Sequence, residues 1–156
     1  LDVMEPEIAF ESINLYELAQ DTVEMMQMRA EDRSVILSMT GSPCRIQGDK
    51  QMIEELIYNL CDNAIAYNNI GGMVDVCVGK AGEKVFLRVK DTGIGISKEH
   101  QERIFERFYR VDKSRSKSTG GTGLGLAIVK HIVAVHNAQL QLESEPGKGT
   151  EVTVIF

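Results

Sequence analysis

The chain has 156 residues, of which 43% are hydrophobic and 26% charged, and its formal net charge at pH 7 is −6. This length and composition exclude an intrinsically disordered chain and predict one soluble domain, residues 1–156, with a core of its own. The acidic balance argues against bulk binding to nucleic acid or to an anionic membrane, and no apolar run approaches the roughly 20 residues of a membrane-spanning helix.

The first half of the chain predicts two helices, each preceded by strand-like segments. Alternation over Glu7–Ile13 favours a short strand, and Asn14 followed by Glu17 resembles a capping box that opens a helix running to about Arg33. Further strand-like segments are Ser34–Thr40 and Cys44–Gly48. Asp49 then caps a long helix whose apolar face is formed by Met52, Ile53, Leu56, Ile57, Leu60 and Ala64.

The second half of the chain is richer in strands. Its predicted elements are a β-hairpin of Met73–Lys80 and Glu83–Asp91, a short helix from Ser97 to about Tyr109, a helix from about Gly123 to His136, and two closing strands, Gln139–Glu145 and Thr150–Phe156, joined by a turn at Pro146–Gly149. Strands and helices are mixed without a regular βαβ alternation. The predicted fold class is therefore α+β, a two-layer sandwich in which helices cover one face of a sheet.

Positive charge is concentrated between the last two predicted helices. The segment Arg107–Lys117 holds five bases and one acid, a local charge of +4, so the rest of the chain carries −10. The segment is either a solvated surface loop or a loop that contacts a polyanion.

Cysteine usage and the first residue bear on where the chain comes from. Cys44, Cys61 and Cys77 are an odd number and have no CxxC spacing, so we expect buried thiols in a reducing compartment, with neither a disulfide nor a zinc site. The chain begins at Leu1 and shows no signal peptide. We therefore expect it to be a piece of a longer protein.

A stripe of polar residues runs along the second long helix. At 100° per residue, Asn59, Asn63, Ala66 and Tyr67 fall beside the apolar face. Amide oxygens are suitable ligands for Mg²⁺, which binds few protein groups together with substrate phosphates. Two amides one helical turn apart can hold one ion, or they are ordinary boundary residues that bond to backbone.

The segment "VKDTGIGIS" places Asp91 at the end of a strand, followed by Gly93 and Gly95. A carboxylate there can accept a hydrogen bond from an exocyclic amine, and glycines let a flat ligand approach the backbone. The same letters also make a good turn. The spacing is not that of the dinucleotide fingerprint, and the chain has no GxxxxGK[ST] phosphate loop.

Two further motifs follow. In "TGGTGLGL" four glycines lead into a helix directly after the basic segment, which favours phosphate binding at free N–H groups over a simple hinge. In "IFERFYRVD" the residues Phe105, Phe108 and Tyr109 predict a helical turn anchored in the core, and they would also fix the base of a mobile basic segment.

The four motifs, in this order, resemble the catalytic and ATP-binding domain of bacterial sensor histidine kinases, within the gyrase–chaperone–histidine kinase–mismatch-repair ATPase superfamily. "NLCDNAIAYN" is similar to the asparagine box of that family, "DTGIG" to its first glycine box, "FERFYR" to its phenylalanine box and "GGTGLGL" to its second glycine box. "PGKGTEVTVIF" resembles its closing hairpin. The resemblance implies a Bergerat-type ATP-binding fold, a mixed sheet covered on one face by three helices.

The resemblance also implies roles for single residues. Asn63 would coordinate Mg²⁺, and Asn59 would support the metal and the phosphates. Asp91 would receive the adenine amine with Thr150 close by, Tyr67 would line the adenine and ribose pocket, and Gly93, Gly95 and Ile96 would lie against the base. Arg110 and the backbone of Gly121, Thr122, Gly123, Leu124, Gly125 and Leu126 would meet the phosphates, and the segment from about Val111 to Gly120 would form a lid over ATP.

Two positions distinguish this chain within the superfamily. Relatives that hydrolyse ATP carry a water-activating glutamate where this chain has Asn59, and an amide cannot act as a base. Many sensor kinases carry Lys or Arg where this chain has Ala66, so one charged hydrogen bond to phosphate is expected to be missing unless Lys113 or Arg115 replaces it.

The implied function is transfer of the γ-phosphoryl group of Mg·ATP to a histidine on a separate dimerisation domain, which then feeds a response regulator. The parent protein would be a homodimer and membrane-anchored, with this domain in the cytoplasm. His100 lacks the expected acceptor context, and structural or surface roles are expected for His131 and His136, so the isolated chain should bind ATP without phosphorylating itself. The alternatives are an ATPase clamp, an anti-sigma serine kinase, or a non-catalytic ATP-binding or docking module.

Overall fold

The computed structural model describes residues 7–106 and 125–156. The strands in these residues are β1 (Phe10–Asn14), β2 (Ile36–Gly41), β3 (Arg45–Asp49), β4 (Met73–Ala81), β5 (Lys84–Asp91), β6 (Gln139–Glu145) and β7 (Gly149–Ile155). The helices are α1 (Leu15–Asp32), α2 (Lys50–Ala66), α3 (Lys98–Gln101) and α4 (Gly125–Val135). No helix of the described residues is both long and apolar enough to cross a membrane.

The strands form two sheets. The larger has the order β2-β4-β5-β7-β6, in which β2 and β4 are parallel and the other pairs antiparallel, and β1 pairs with β3 in a separate antiparallel ribbon. Alternate residues of β4 and β5 are buried, which is the pattern of strands with only one face covered. Helices α1, α2 and α4 supply the residues that cover that face. The predicted α+β two-layer sandwich is confirmed.

Both long helices begin where side-chain caps were predicted. Asn14 Oδ1 accepts a hydrogen bond from the N–H of Glu17 at 3.1 Å, and Asp49 Oδ1 accepts one from the N–H of Met52 at 3.0 Å. Asp49 Oδ2 also accepts from the N–H of Ala9 at 3.0 Å. These backbone bonds favour the carboxylate form, so they hold the pKa of Asp49 below its ordinary value. The same bonds fix the start of α2, which carries the asparagine stripe.

A histidine connects the end of α4 to the β1–β3 ribbon. His136 Nε2 accepts a hydrogen bond from the N–H of Asp49 at 3.1 Å, so Nδ1, which lies 2.8 Å from the carbonyl oxygen of Ile132, is the protonated nitrogen. Its ring stacks on Phe10 with a centroid separation of 4.9 Å. The structural role expected for His136 is thus confirmed, while His131 is exposed on the surface of α4.

The cysteine prediction holds for two residues and fails in part for the third. All three thiols are free, and Cys44 and Cys61 are buried. Burial raises the pKa of the Cys61 thiol to about 12, and the charge of Asp62 adds to the effect. Cys77 is only half-buried, because it lies on the outer face of β4, opposite the buried residues of that strand.

The α-helix predicted from Ser97 to Tyr109 is shorter in the structure. The helix ends at Gln101, and residues 102–106 continue as turns and a bend, with Arg103 and Glu106 N–H groups bonded to carbonyls three residues before them. A helix this short gains little from its own hydrogen bonds and depends on tertiary contacts for its form. Phe105 packs against the core as predicted, whereas Phe108 and Tyr109 lie outside the described residues.

A helix side chain hydrogen-bonds one carbonyl oxygen at an edge of the large sheet. The strand β2 lies at the edge, and Leu37 turns its carbonyl oxygen away from β4. Gln27, on α1, donates its side-chain N–H to that oxygen at 2.9 Å. The carbonyl that would otherwise be available at the sheet edge is therefore satisfied within the domain.

Candidate functional site

The carboxylate of Asp91 lies at the end of β5, between the loop that follows it and the start of β7. Its Oδ1 accepts hydrogen bonds from the N–H groups of Gly93 at 2.8 Å and Thr150 at 3.2 Å. None of the described residues donates to Oδ2. Burial raises the pKa of Asp91 to about 6, and the two backbone bonds oppose the rise. One oxygen is thus fixed by the protein, and the other remains able to accept a hydrogen bond from a ligand.

The loop after Asp91 packs against the C-terminal end of α2. The N–H of Ile94 donates to the carbonyl oxygen of Tyr67 at 3.2 Å, and a β-carbon on Gly93 would lie 2.5 Å from the same oxygen. Only glycine permits this approach. The contact brings the adenine-side residues predicted from "DTGIG" next to Tyr67, the last residue of the predicted stripe.

Gly95 is required by the hairpin of β6 and β7. Its φ is +72°, and a β-carbon there would lie 2.1 Å from the carbonyl oxygen of Glu145. Sequence reasoning assigned this glycine to a ligand, whereas its immediate requirement is a close contact within the protein. Contact of Gly93, Gly95 and Ile96 with a base remains a prediction.

A serine that sequence reasoning missed ties this loop to β7. Ser144 Oγ accepts a hydrogen bond from the N–H of Ile96 at 2.8 Å and lies 2.8 Å from Thr150 Oγ1. Gln101 donates from Nε2 to the carbonyl oxygens of Ile96 at 2.7 Å and Ser144 at 3.0 Å. Ser144 follows Leu140 and Leu142 on the inner face of β6, and a hydroxyl at an inner-face position was the available signal.

A second missed residue is Asn68, directly after Tyr67. It is one of two buried polar residues among those described, with 8% of its surface exposed. Its Nδ2 donates to the carbonyl oxygen of Met73 at 2.9 Å, and its Oδ1 accepts from the N–H of Asn69 at 2.8 Å. These bonds fix the loop between α2 and β4, against which Gly93 packs.

The predicted stripe lies on α2 as expected. Asn59, Asn63, Ala66 and Tyr67 are all half-buried, beside the fully buried residues of the helix. Asn59 Nδ2 donates to the carbonyl oxygen of Glu55 at 2.8 Å. Its Oδ1 points to the start of α4, because a β-carbon on Gly125 would lie 3.1 Å from it. The two helices thus approach each other at the first amide of the stripe.

The stripe is chemically suitable for Mg²⁺. Asn59 is held through its nitrogen, which leaves its oxygen available to a ligand, and no described residue hydrogen-bonds the side chain of Asn63. The described residues contain no group of three or more His, Cys, Asp or Glu side chains able to hold a metal. Few protein ligands and neutral amide oxygens suit an ion that shares its coordination shell with phosphates and water.

The remaining predicted site residues divide between two parts of the chain. Gly125 and Leu126 lie in the first turn of α4, where both are half-buried and Leu126 packs against the core. Arg110, Gly121, Thr122, Gly123 and Leu124 lie outside the described residues, as does the basic segment. Their contact with phosphates remains a prediction.

Comparison with known proteins gives consistent matches. The profile of the histidine kinase-, DNA gyrase B- and HSP90-like ATPases matches residues 48–156. The sensor-like histidine kinase SenX3 of Mycolicibacterium smegmatis is 50% identical over 127 residues, which are 80% of this chain and 33% of that protein. This chain thus spans about a third of the length of the curated relatives that it matches.

Solved structures of histidine kinases also match this chain. The mycobacterial sensor histidine kinase MprB has a TM-score of 0.82 and 27% identity, covering 95% of this chain and 97% of the other. Full-length ShkA in complex with AMPPNP also has a TM-score of 0.82 and 27% identity, covering 96% of this chain and 31% of that one.

Proposed function

The chain belongs to the family of histidine kinase-, DNA gyrase B- and HSP90-like ATPases, and we propose that it is the catalytic and ATP-binding domain of a sensor histidine kinase. The predicted Bergerat-type fold is confirmed, since a mixed five-stranded sheet under three helices matches solved histidine kinase domains. In the proposed reaction the chain binds Mg·ATP, and a histidine of a separate dimerisation domain takes the γ-phosphoryl group as ADP leaves.

The observation that carries this proposal is the contact between the Asp91 loop and the end of the asparagine helix. Asp91 keeps one oxygen free beside Thr150, which suits an exocyclic amine. The loop after Asp91 contacts the carbonyl oxygen of Tyr67 at the C-terminal end of α2, and the same helix carries the amides of Asn63 and Asn59. One helix thereby connects an acceptor for the base to ligands for a phosphate-bound cation.

Asn63 and Asn59 are the residues that would hold Mg²⁺. The ion would neutralise charge on phosphate oxygens. The chain itself would orient the nucleotide through Asp91, Tyr67 and the first turn of α4. Catalysis would then depend mainly on positioning.

Transfer to a protein nucleophile is favoured over hydrolysis. Asn59 is an amide, and its nitrogen is already committed to the carbonyl oxygen of Glu55. It therefore offers no base to activate water. The relatives matched are sensor histidine kinases, so the ATPase clamp, the serine kinase and the docking module are not favoured.

The partners follow from the same proposal. We expect the dimerisation domain to belong to the parent protein, a membrane-anchored homodimer with this domain in the cytoplasm, and a cognate response regulator to receive the phosphoryl group. Residues 1–156 would act as one catalytic domain.

Calorimetric titration with AMPPNP, with and without Mg²⁺, tests the binding site. Asn63→Ala should remove the dependence on Mg²⁺, and Asp91→Ala should weaken binding by about 1–3 kcal/mol, the worth of a buried hydrogen bond to a charged group. Asp75→Ala, a carboxylate on the opposite sheet face, is the matched control and should bind normally. If Asn63→Ala and Asp91→Ala both bind like the unaltered chain, the site assignment is wrong.

Phosphotransfer is tested by mixing the chain with radiolabelled ATP and the dimerisation domain of its parent protein. An acid-labile, alkali-stable phosphoprotein that disappears when the acceptor histidine is replaced by glutamine is expected. Rapid ATP hydrolysis, or an acid-stable phosphoserine, would refute the proposed reaction.

A further inference from the structure

An ion pair joins the last turn of α1 to the second half of α2, beside the asparagine stripe. Arg29 Nε lies 2.6 Å from Asp62 Oδ1, and the two side chains are 42% and 31% exposed. Asp62 Oδ1 is buried and accepts no well-aligned hydrogen bond from the described residues. The positive charge of the Arg29 guanidinium therefore compensates the negative charge of this carboxylate, although the two groups do not form an aligned hydrogen bond.

The position of Asp62 on α2 places the ion pair next to the proposed Mg²⁺ ligands. Asp62 directly precedes Asn63, lies one helical turn after Asn59 and one turn before Ala66. Residues three and four apart are neighbours on a helix surface. The carboxylate is thus an anion at the flank of the two amides that the proposed function assigns to Mg²⁺ and phosphate.

The helix provides no cation of its own to balance that anion. Lys50 begins α2, and from Gln51 to Ala66 the helix contains no lysine or arginine. Ala66, the side chain one turn beyond Asp62, is uncharged. In the part of the chain that the structure describes, Arg29 is the base that forms an ion pair with Asp62.

We propose that Arg29 is an electrostatic positioning residue for nucleotide binding: by neutralising Asp62 from α1, it allows an anionic triphosphate to lie along the asparagine stripe. The inference rests on the proposed function and adds a residue from a helix that carries none of the recognised motifs. Without Arg29, an uncompensated negative charge would lie on the helix surface beside the stripe that the proposed function assigns to Mg²⁺ and phosphate, and like charges oppose binding in a partly desolvated site.

The effect should depend on the number of phosphates, which separates it from a structural role. Calorimetry in the presence of Mg²⁺ would compare AMPPNP, ADP and adenosine on the 156-residue chain and on Arg29→Ala. We expect about a three- to tenfold loss of AMPPNP affinity, a smaller loss for ADP, and unchanged adenosine affinity. Arg33→Ala removes the same charge from the end of the same helix and is the matched control, expected to bind like the unaltered chain.

Charge rescue completes the test. Arg29→Ala combined with Asp62→Asn should restore AMPPNP affinity to within about twofold, because the carboxylate that needed a partner is gone. Arg29→Lys should retain most of the affinity. Equal losses for all three ligands, no rescue by Asp62→Asn, or no loss in Arg29→Ala would each overturn the inference. If the unaltered chain binds none of the nucleotides, the proposed function fails as well, which is a distinguishable result.

Discussion

Replacing Asp91 by asparagine should make the domain more stable at neutral pH while weakening its ligand site. Asparagine keeps the oxygen that accepts from Gly93 and Thr150 but removes a charge that burial disfavours. Because the pKa of Asp91 is raised from 3.8 to about 6, the folded state binds this proton more tightly than the unfolded chain does. The contribution of this group to stability is therefore fully present below pH 3.8 and is lost as the pH rises through about 6.

The size of the effect follows from the pKa. The rise from 3.8 to about 6 corresponds to about 3 kcal/mol at full ionisation, since each pKa unit is worth about 1.36 kcal/mol. Asp91 is only half-buried, so solvent screening reduces the expected effect to about 2 kcal/mol. The stability difference between Asp91→Asn and the unaltered chain should shift by this amount in favour of the variant between about pH 4 and pH 7.

Urea unfolding of both proteins at several pH values in this window measures the difference directly. Asp49→Asn is a control of opposite sign, because the pKa of Asp49 is lowered by backbone hydrogen bonds. Its stabilising effect is present above the ordinary pKa of 3.8 and is lost as the pH falls below it, so the Asp49→Asn difference should be flat between about pH 5 and pH 7. A flat difference for Asp91→Asn, or one that favours the unaltered chain as the pH rises, would refute the assignment of a desolvated carboxylate.

Three further substitutions test the structure around the site. In thermal unfolding, Gly95→Ala should destabilise the domain by more than about 2 kcal/mol, because alanine is strained at the positive φ and its β-carbon would collide with the Glu145 carbonyl oxygen. The control is Gly147→Ala, where φ is +80° but the surrounding space is open, so the expected cost is only about 1 kcal/mol. Ser144→Ala should lower the free energy of unfolding by about 1–3 kcal/mol and should also weaken AMPPNP binding measured by calorimetry. Normal binding would contradict the role of Ser144 in holding the loop after Asp91. His136→Phe retains the ring but loses both hydrogen bonds, so a drop of about 1–2 kcal/mol in unfolding free energy is expected, and unchanged stability would mean that the bond to Asp49 contributes nothing.

The elements that were predictable are those with local signals. Asn14 and Asp49 are caps whose partners lie three residues away, and α1, α2 and the closing hairpin followed from periodicity and turn residues. The α-helix predicted through Tyr109 was wrong in its described part, because residues 102–106 form turns and a bend instead of continuing the helix. A short segment of this kind takes its conformation from what it packs against.

The candidate site was predictable where a motif contains its own chemistry and unpredictable where it depends on distant contacts. Asn59, Asn63 and Asp91 could be singled out because their residue types suit a metal or an amine. Ser144 could not, since its bond to Ile96 spans 48 positions in the sequence and exists only after β6 and β7 have paired beside the loop. Arg29 escaped notice for the same reason, because only the packing of α1 on α2 brings it to Asp62.

The glutamine amides at the two edges of the large sheet also affect how the domain behaves at high concentration. Gln27 occupies the Leu37 carbonyl at the β2 edge, and Gln101 occupies the Ser144 carbonyl at the β6 edge. Unpaired strand edges are templates for aggregation, since a second chain can add to them through backbone hydrogen bonds. A neighbouring copy that approached either edge would first have to displace a side chain already bonded there. These side chains therefore oppose edge-to-edge assembly at β2 and at β6.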